Sequence, residues 1–328
     1  MAHAAAARCN GYRLVAVASR TASRALEQAT AMNTTAARYD ELPAGADVVV
    51  VATPPSCHAR DAIRLLDAGA SVLVEKPLCC TLLEADAIVA AAERHGQRLL
   101  YGENLAYAPV VQQLVARTVE LGPLTHVEVR AIQPLPTWGA FTSDEWGGGA
   151  LFDLGVHPLA IAMLVAGAAG EGRPVSVRAR LEGGAGHDSD EHAEVWLSYA
   201  SGLTATVVAS WKGGPEHVWD VQVASATGVL RAELLPTPVL ERNGDPVALP
   251  APTASVPIVE QFGYLGQMRA LIDDTAAGLT PAMSAAFGRE VLQVVCGAYW
   301  SAGHDTMAVP LPFAGPRNLT PLELWRAR

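Results

Sequence analysis

Three side chains suit acid–base chemistry by type and by spacing: Lys76, Asp153 and His157. Lys76 lies in Glu75-Lys76-Pro77, directly after the strand-like run Ser71-Val72-Leu73-Val74. An ammonium there sits at the C-terminal end of a parallel-type strand, where open α/β sheets bind their ligands. Asp153 and His157 stand four residues apart in the run from Gly147-Gly148-Gly149 to Pro158. That interval puts a carboxylate and an imidazole on one face of a helix. A lysine, an aspartate and a histidine converging on one cleft supply what proton transfer at a hydroxyl or carbonyl carbon requires.

The elements that must position these groups fall into two textures. Up to residue 121, short apolar runs alternate with helical stretches. Residues 13–18, 47–52, 71–75 and 98–103 are apolar almost without interruption, as strands buried on both faces are. Thr81 and Glu84 form a capping box ahead of a helix over 85–94, and Gly96 stops it. A helix over 57–68 carries Ile63, Leu65 and Leu66 toward the sheet and ends at Gly69. This alternation predicts a doubly wound parallel sheet.

From Gly122 onward, runs over 124–132, 174–181, 191–199, 203–211, 217–226 and 228–235 follow one another, with turn signals such as Ser201-Gly202 and Thr227-Gly228. Val195, Leu197 and Tyr199 alternate with Glu194, Trp196 and Ser198, which predicts an antiparallel meander with one packed face. Helices are expected over 150–165, 259–277 and 284–302, and surface loops over 182–190 and 236–254. The chain therefore divides into a Rossmann-like parallel-sheet domain over 1–121 and a second domain over 122–328. The second is α+β, with an open, mostly antiparallel sheet and helices on one face.

A length of 328 residues, half of them hydrophobic and 17% charged, suits two domains with large cores. The net charge of −10 argues against nucleic acid and anionic membranes as partners. No run approaches the ~18 consecutive apolar residues of a membrane helix. The alanine-rich start lacks the basic residues of a signal peptide. Five irregularly spaced cysteines make no disulfide framework, and neither Cys57-His58 nor Cys79-Cys80 has metal-ligand spacing. Free thiols fit a reducing cytoplasm.

The chain resembles the Gfo/Idh/MocA family of NAD(P)-dependent oxidoreductases. The matching stretches are Ala18-Ser19-Arg20, the run from Ala52 to His58, that from Gly69 to Pro77, that from Glu103 to Pro109, that from Gly147 to Pro158 and the closing Thr320-to-Trp325 segment. By that resemblance Lys76 reaches both the nicotinamide ribose and the substrate oxygen, while Asp153 and His157 are the acid and histidine of the substrate domain. The imidazole then takes the alcohol proton as hydride leaves the same carbon, Lys76 stabilises the alkoxide, and Asp153 orients the ring or binds a neighbouring hydroxyl. Thr53, Pro54, His58 and Glu75 match positions around the cofactor. Asn104 and Tyr107 match the segment leading to the substrate domain, where Asn104 borders the cofactor and Tyr107 faces the substrate. The implied substrate is a sugar, polyol or related small molecule. Ala160 departs from the family, which often has an aspartate near that position. A rival reading is a member that keeps the fold and binds nucleotide or sugar without turnover.

Two further expectations concern the cofactor. Ser19-Arg20-Thr21 follows the strand over 13–18, where an NAD-preferring enzyme usually carries an acid. A hydroxyl beside a guanidinium suits a 2′-phosphate, so NADP(H) is the expected preference, with NAD(H) possible. The first Rossmann strand and its glycine-rich loop are missing ahead of Met1. Either the strands over 13–18 and 47–52 pair directly, or the true start lies upstream; the second is the expectation. Apolar residues on both sides of some later strands, such as Val195, Trp196 and Leu197, together with the resemblance, point to a homodimer or homotetramer through the C-terminal sheet.

Overall fold

The structure is a computed structural model, and it describes all residues except 43–44, 185 and 328. Its first unit runs α1 (Ala2–Cys9), β1 (Ala16–Ala18), α2 (Ala22–Ala31), β2 (Thr35–Ala37), β3 (Val48–Val51), α3 (Pro55–Asp67), β4 (Ser71–Glu75), α4 (Leu82–Arg94), β5 (Leu99–Gly102) and α5 (Pro109–Thr118). The helix starts are those that local chemistry dictates. Thr81 and Glu84 form the reciprocal capping box of α4, Thr21 caps α2, and α3 and α5 open on prolines, whose missing N–H is no loss in a first turn.

The parallel strands make two separate sheets, β2–β1 and β3–β4–β5. Among the described residues no strand bonds β1 to β3, so the sheet does not close by pairing them directly. Leu73 and Val74 of β4, flanked on both sides, are fully buried, while all three residues of β1 are only half-buried.

The second unit comprises β6 (Leu124–Ile132), α6 (Ala150–Asp153), α7 (Val156–Ala168), β7 (Pro174–Gly183), β8 (Asp190–Tyr199), β9 (Thr204–Ser210), β10 (Val218–Ser225), β11 (Gly228–Leu235), β12 (Val239–Arg242), β13 (Asp245–Pro246), α8 (Pro257–Gln261), α9 (Tyr264–Ala277), α10 (Ala285–Gly303), β14 (Val309–Pro310) and α11 (Pro321–Arg326). Nine strands form one sheet in the order β13-β12-β11-β10-β6-β9-β8-β7-β14. The simple meander is corrected here: β6 sits inside the sheet, antiparallel to β10 and parallel to β9. The expected loop over 236–254 contains β12 and β13, and that over 182–190 is shortened by β7 and β8, with residue 185 outside the described residues.

The helices lie on one face of this sheet, α7 against β6 and β9, and α10 against β7. α7 buries ten of its thirteen residues, and α10 thirteen of nineteen. α10 also packs on α4 and β5, and α9 packs on α1, so these late helices hold the two units together. On the other face the outward residues are largely charged and polar. Val195 and Leu197 are buried, and only Trp196 of that trio is exposed. The apolar outer surface expected there is therefore small.

The helix expected over 150–165 is two helices, α6 and α7, and the stretch Asp144–Asp153 that ends in α6 meets α7 at a bend of 47°. The amides of Leu154 and Gly155 both bond the Ala150 carbonyl, at 2.8 and 2.9 Å. A Cβ on Gly155 would lie 2.6 Å from the Leu151 carbonyl oxygen. Pro158 completes the break, since it offers no N–H and its ring excludes a carbonyl four residues earlier, that of Leu154. Among the described residues no single helix is long and apolar enough to cross a membrane.

Candidate active site

The break between α6 and α7 gives Asp153 and His157 different partners. Lys76 follows β4 at the C-terminal edge of its sheet and reaches across to the second unit. Its Nζ donates to Asp153 Oδ1 at 2.8 Å and to the Asp153 carbonyl at 3.0 Å. The Lys76 side chain is 20% exposed and that of Asp153 only 7%. Burial disfavours the ammonium, but Asp153, and then Glu75 and Glu103, more than offset it, so the Lys76 pKa is raised. Lys76 is a cation at neutral pH.

The orienting partner of His157 is Glu103 and not Asp153, which corrects the one-helix reading. Glu103 lies just past β5 and is fully buried. His157 Nδ1–H donates to both of its oxygens, at 2.8 and 2.9 Å, and the Leu105 amide donates to Oε1 at 3.1 Å. An ionised carboxylate only accepts, so it keeps the imidazole proton on Nδ1 and leaves a lone pair on Nε2. That is the tautomer a general base needs. Proton uptake at Nε2 would also place a cation in direct hydrogen-bond contact with the buried carboxylate. Trp219 of β10 stands beside the ring, centroids 5.6 Å apart.

Glu75 turns inward. It accepts from His3 Nε2 at 2.6 Å and from the Lys76 amide at 3.0 Å. Burial works against its charge, but His3 and Lys76 hold its pKa below the ordinary carboxylate value. His3 thus ties the first turn of α1 to the end of β4.

The remaining expected residues are spread along the strand ends. Ser19 and Arg20 follow β1; Arg20 is exposed and among the described residues makes no ion pair. Thr53 and Pro54 follow β3, half-buried and exposed. His58 does not face the crevice: it is 1% exposed, and its ring nitrogens lie 2.7 Å from the Thr53 carbonyl and 2.9 Å from that of Pro77. Burial lowers its pKa. It braces the start of α3 against the turn after Lys76. Asn104 donates to the Phe262 carbonyl at 2.7 Å and fastens the α8–α9 turn. Tyr107 packs on Gly266 of α9, and among the described residues its buried hydroxyl has no hydrogen-bond partner.

Sequence reasoning missed Glu103, His3 and Trp219. Glu103 had a visible signal, since a carboxylate directly after an apolar parallel strand is the same pattern that singles out Lys76. His3 and Trp219 had none.

The residues suit a dinucleotide at its ends. Lys76 stands by Asp153, Arg20 stands open at the end of β1, and α1 has no acidic side chain in its first turn, which leaves those amides suited to an anion.

Comparison with known proteins agrees with this fold. The model of an oxidoreductase family with an NAD-binding Rossmann fold matches residues 1–103, and that of the GFO/IDH/MocA C-terminal domain matches residues 111–231. The chain is 30% identical over 321 residues to an Amycolatopsis mediterranei protein provisionally named UDP-kanosamine synthase oxidoreductase subunit, with 88% of each covered. It is 30% identical over 198 residues to the UDP-N-acetylglucosamine 3-dehydrogenase of Acidithiobacillus ferrooxidans, covering 60% of this chain and 59% of that one. The fold superposes on GenD2 from gentamicin A biosynthesis, solved in complex with NAD, with a TM-score of 0.82 and 25% identity over 94% of this chain and 92% of that one.

Proposed function

The chain belongs to the GFO/IDH/MocA oxidoreductase family, and from that premise we propose a dehydrogenase acting on the CH–OH or C=O carbon of a sugar, polyol or related small molecule. The nicotinamide, when bound, accepts or gives the hydride. Its preferred form is NADP(H), on the strength of the open Arg20 guanidinium beside Ser19. His157 takes the hydroxyl proton at Nε2 while Glu103 holds the ring and balances the new charge. The ammonium of Lys76 faces the oxygen as it becomes an alkoxide, and Asp153 keeps that ammonium in place.

The observation that carries this reading is the meeting of two buried pairs from opposite units, Lys76 with Asp153 and Glu103 with His157. Sugars, polyols and keto-sugars assayed for NADP(H)-linked turnover test it. Turnover of at least one member is expected, lost in both Lys76→Ala and His157→Ala. Tight NADP(H) binding with no turnover of any member would favour a binding protein instead.

The five free thiols suit a reducing compartment such as the cytoplasm. We also propose assembly into a dimer or tetramer through the outer face of the nine-stranded sheet, where Trp196 is exposed. A particle of 34.3 kDa in light scattering at micromolar concentration would count against it.

A further inference from the structure

Asp190 opens β8 and is fully buried, and among the described residues it has no cationic partner. An isolated carboxylate in a core is costly unless hydrogen bonds satisfy it. Here they come from one place. The Leu151 amide donates to Oδ2 at 2.8 Å, and the Tyr299 hydroxyl donates to Oδ1 at 2.5 Å. Tyr299, on α10 and also fully buried, accepts in turn from the Gly149 amide at 2.9 Å. The fit at Gly149 is tight, since a Cβ there would lie 2.2 Å from the Asp190 carbonyl oxygen and 2.5 Å from its Oδ1.

The two captured amides, of residues 149 and 151, stand immediately before Asp153, whose own amide bonds the Gly149 carbonyl at 2.9 Å. The Asp153 carbonyl and carboxylate both receive Lys76. A one-turn helix such as α6 has little internal stability, so its placement must come from outside. We propose that Asp190 and Tyr299 are positioning residues which clamp the start of α6 and thereby set Asp153 on the Lys76 ammonium. This rests on the reading of Lys76 and Asp153 as reaction machinery. The clamp links the large sheet and α10 to the lysine of the first unit, so the site is assembled from three elements distant in sequence. Side chains that orient a reacting group act through geometry, and loss of one commonly costs roughly tenfold to a hundredfold in activity.

The test exploits a feature of composition: the chain has two lysines, Lys76 and Lys212. The rate of amine acylation at Lys76, read by peptide mass spectrometry at mildly alkaline pH with Lys212 as reference, reports how firmly Asp153 holds the ammonium. Tyr299→Phe removes one oxygen and is expected to raise that rate about tenfold, the effect of about one unit in pKa. In an Asp153→Asn background the same change is expected to add nothing, because the clamp acts through Asp153. Asp190→Asn in both backgrounds repeats the cycle should Tyr299→Phe fail to fold. An unmoved rate, or an equal rise in both backgrounds as general loosening would give, overturns the proposal. Turnover surviving in Lys76→Ala would instead bring down the catalytic reading beneath it, a result distinct from an unmoved acylation rate.

Discussion

The C-terminal ends of β4 and β1 carry the same kind of residue in the same kind of place, and the structure treats them in opposite ways. β4 has a neighbour on each side and a buried core stretch, and its terminal charges all have protein partners: Glu75 has His3, and Lys76 has Asp153. β1 has one neighbour, half-buried residues and an exposed Arg20. A charge whose partners come from the protein is placed, and its pKa tuned, before any ligand arrives. A charge at an open strand end stays available for recognition. The first arrangement suits chemistry and the second suits choosing between cofactors.

The sharpest way to break that contrast is Lys76→Ala, expected to lower kcat on the order of 10²–10⁴ while the protein still melts cooperatively. A parent-like kcat would mean that the packed end is only structural. Glu103→Gln comes next. It keeps the shape but removes the charge that fixes the His157 tautomer and balances its imidazolium. A kcat loss on the order of 10², larger than any change in KM, is expected. An unchanged kcat would leave His157 without its orienting partner.

A third measurement addresses the clamp behind the packed end. Burial, opposed by Tyr299 and the Leu151 amide, pushes the Asp190 carboxyl up to about 6 from 3.8. The folded state then holds this proton more tightly than the unfolded chain. The group's contribution to stability is whole below about pH 4 and lost as pH rises through about 6. Two units correspond to about 3 kcal/mol. The unfolding free energy of the parent minus that of Asp190→Asn should therefore fall by about 3 kcal/mol between about pH 4 and pH 7. A flat difference in denaturant titrations would remove Asp190 from the account. The smallest effect is expected at the open end. Arg20→Ala should lower kcat/KM for NADP(H) about tenfold and leave NAD(H) nearly unchanged, as loss of a charged hydrogen bond would. Equal losses with both cofactors would show that Arg20 does not select.

Much of the first unit was legible because its strands are continuous apolar runs and its helices carry their own punctuation. The capping box at Thr81 and Glu84 and the strand end at Lys76 needed no distant information. The α6–α7 break also has a local signal: Gly155 followed by Pro158 marks a restart inside a run whose apolar periodicity never pauses. His58 misled because its family position says nothing of which way the ring turns, and both its nitrogens face backbone carbonyls.

Sequence alone determined the apolar, buried strands β4 and β5, the capped start of α4, and that a lysine stands at a strand end ahead of a distant acid and histidine. Tertiary structure alone decided the pairing. It brought Glu103 to His157 from 54 positions away and Asp190 to α6 with Tyr299 across 109 positions. It also placed β6 between β9 and β10. The physical reason is that periodicity records how much of a side chain leaves water, a property of one element at a time. Which donor meets which acceptor depends on how separate elements dock, and the strength of those bonds comes from the burial that docking creates.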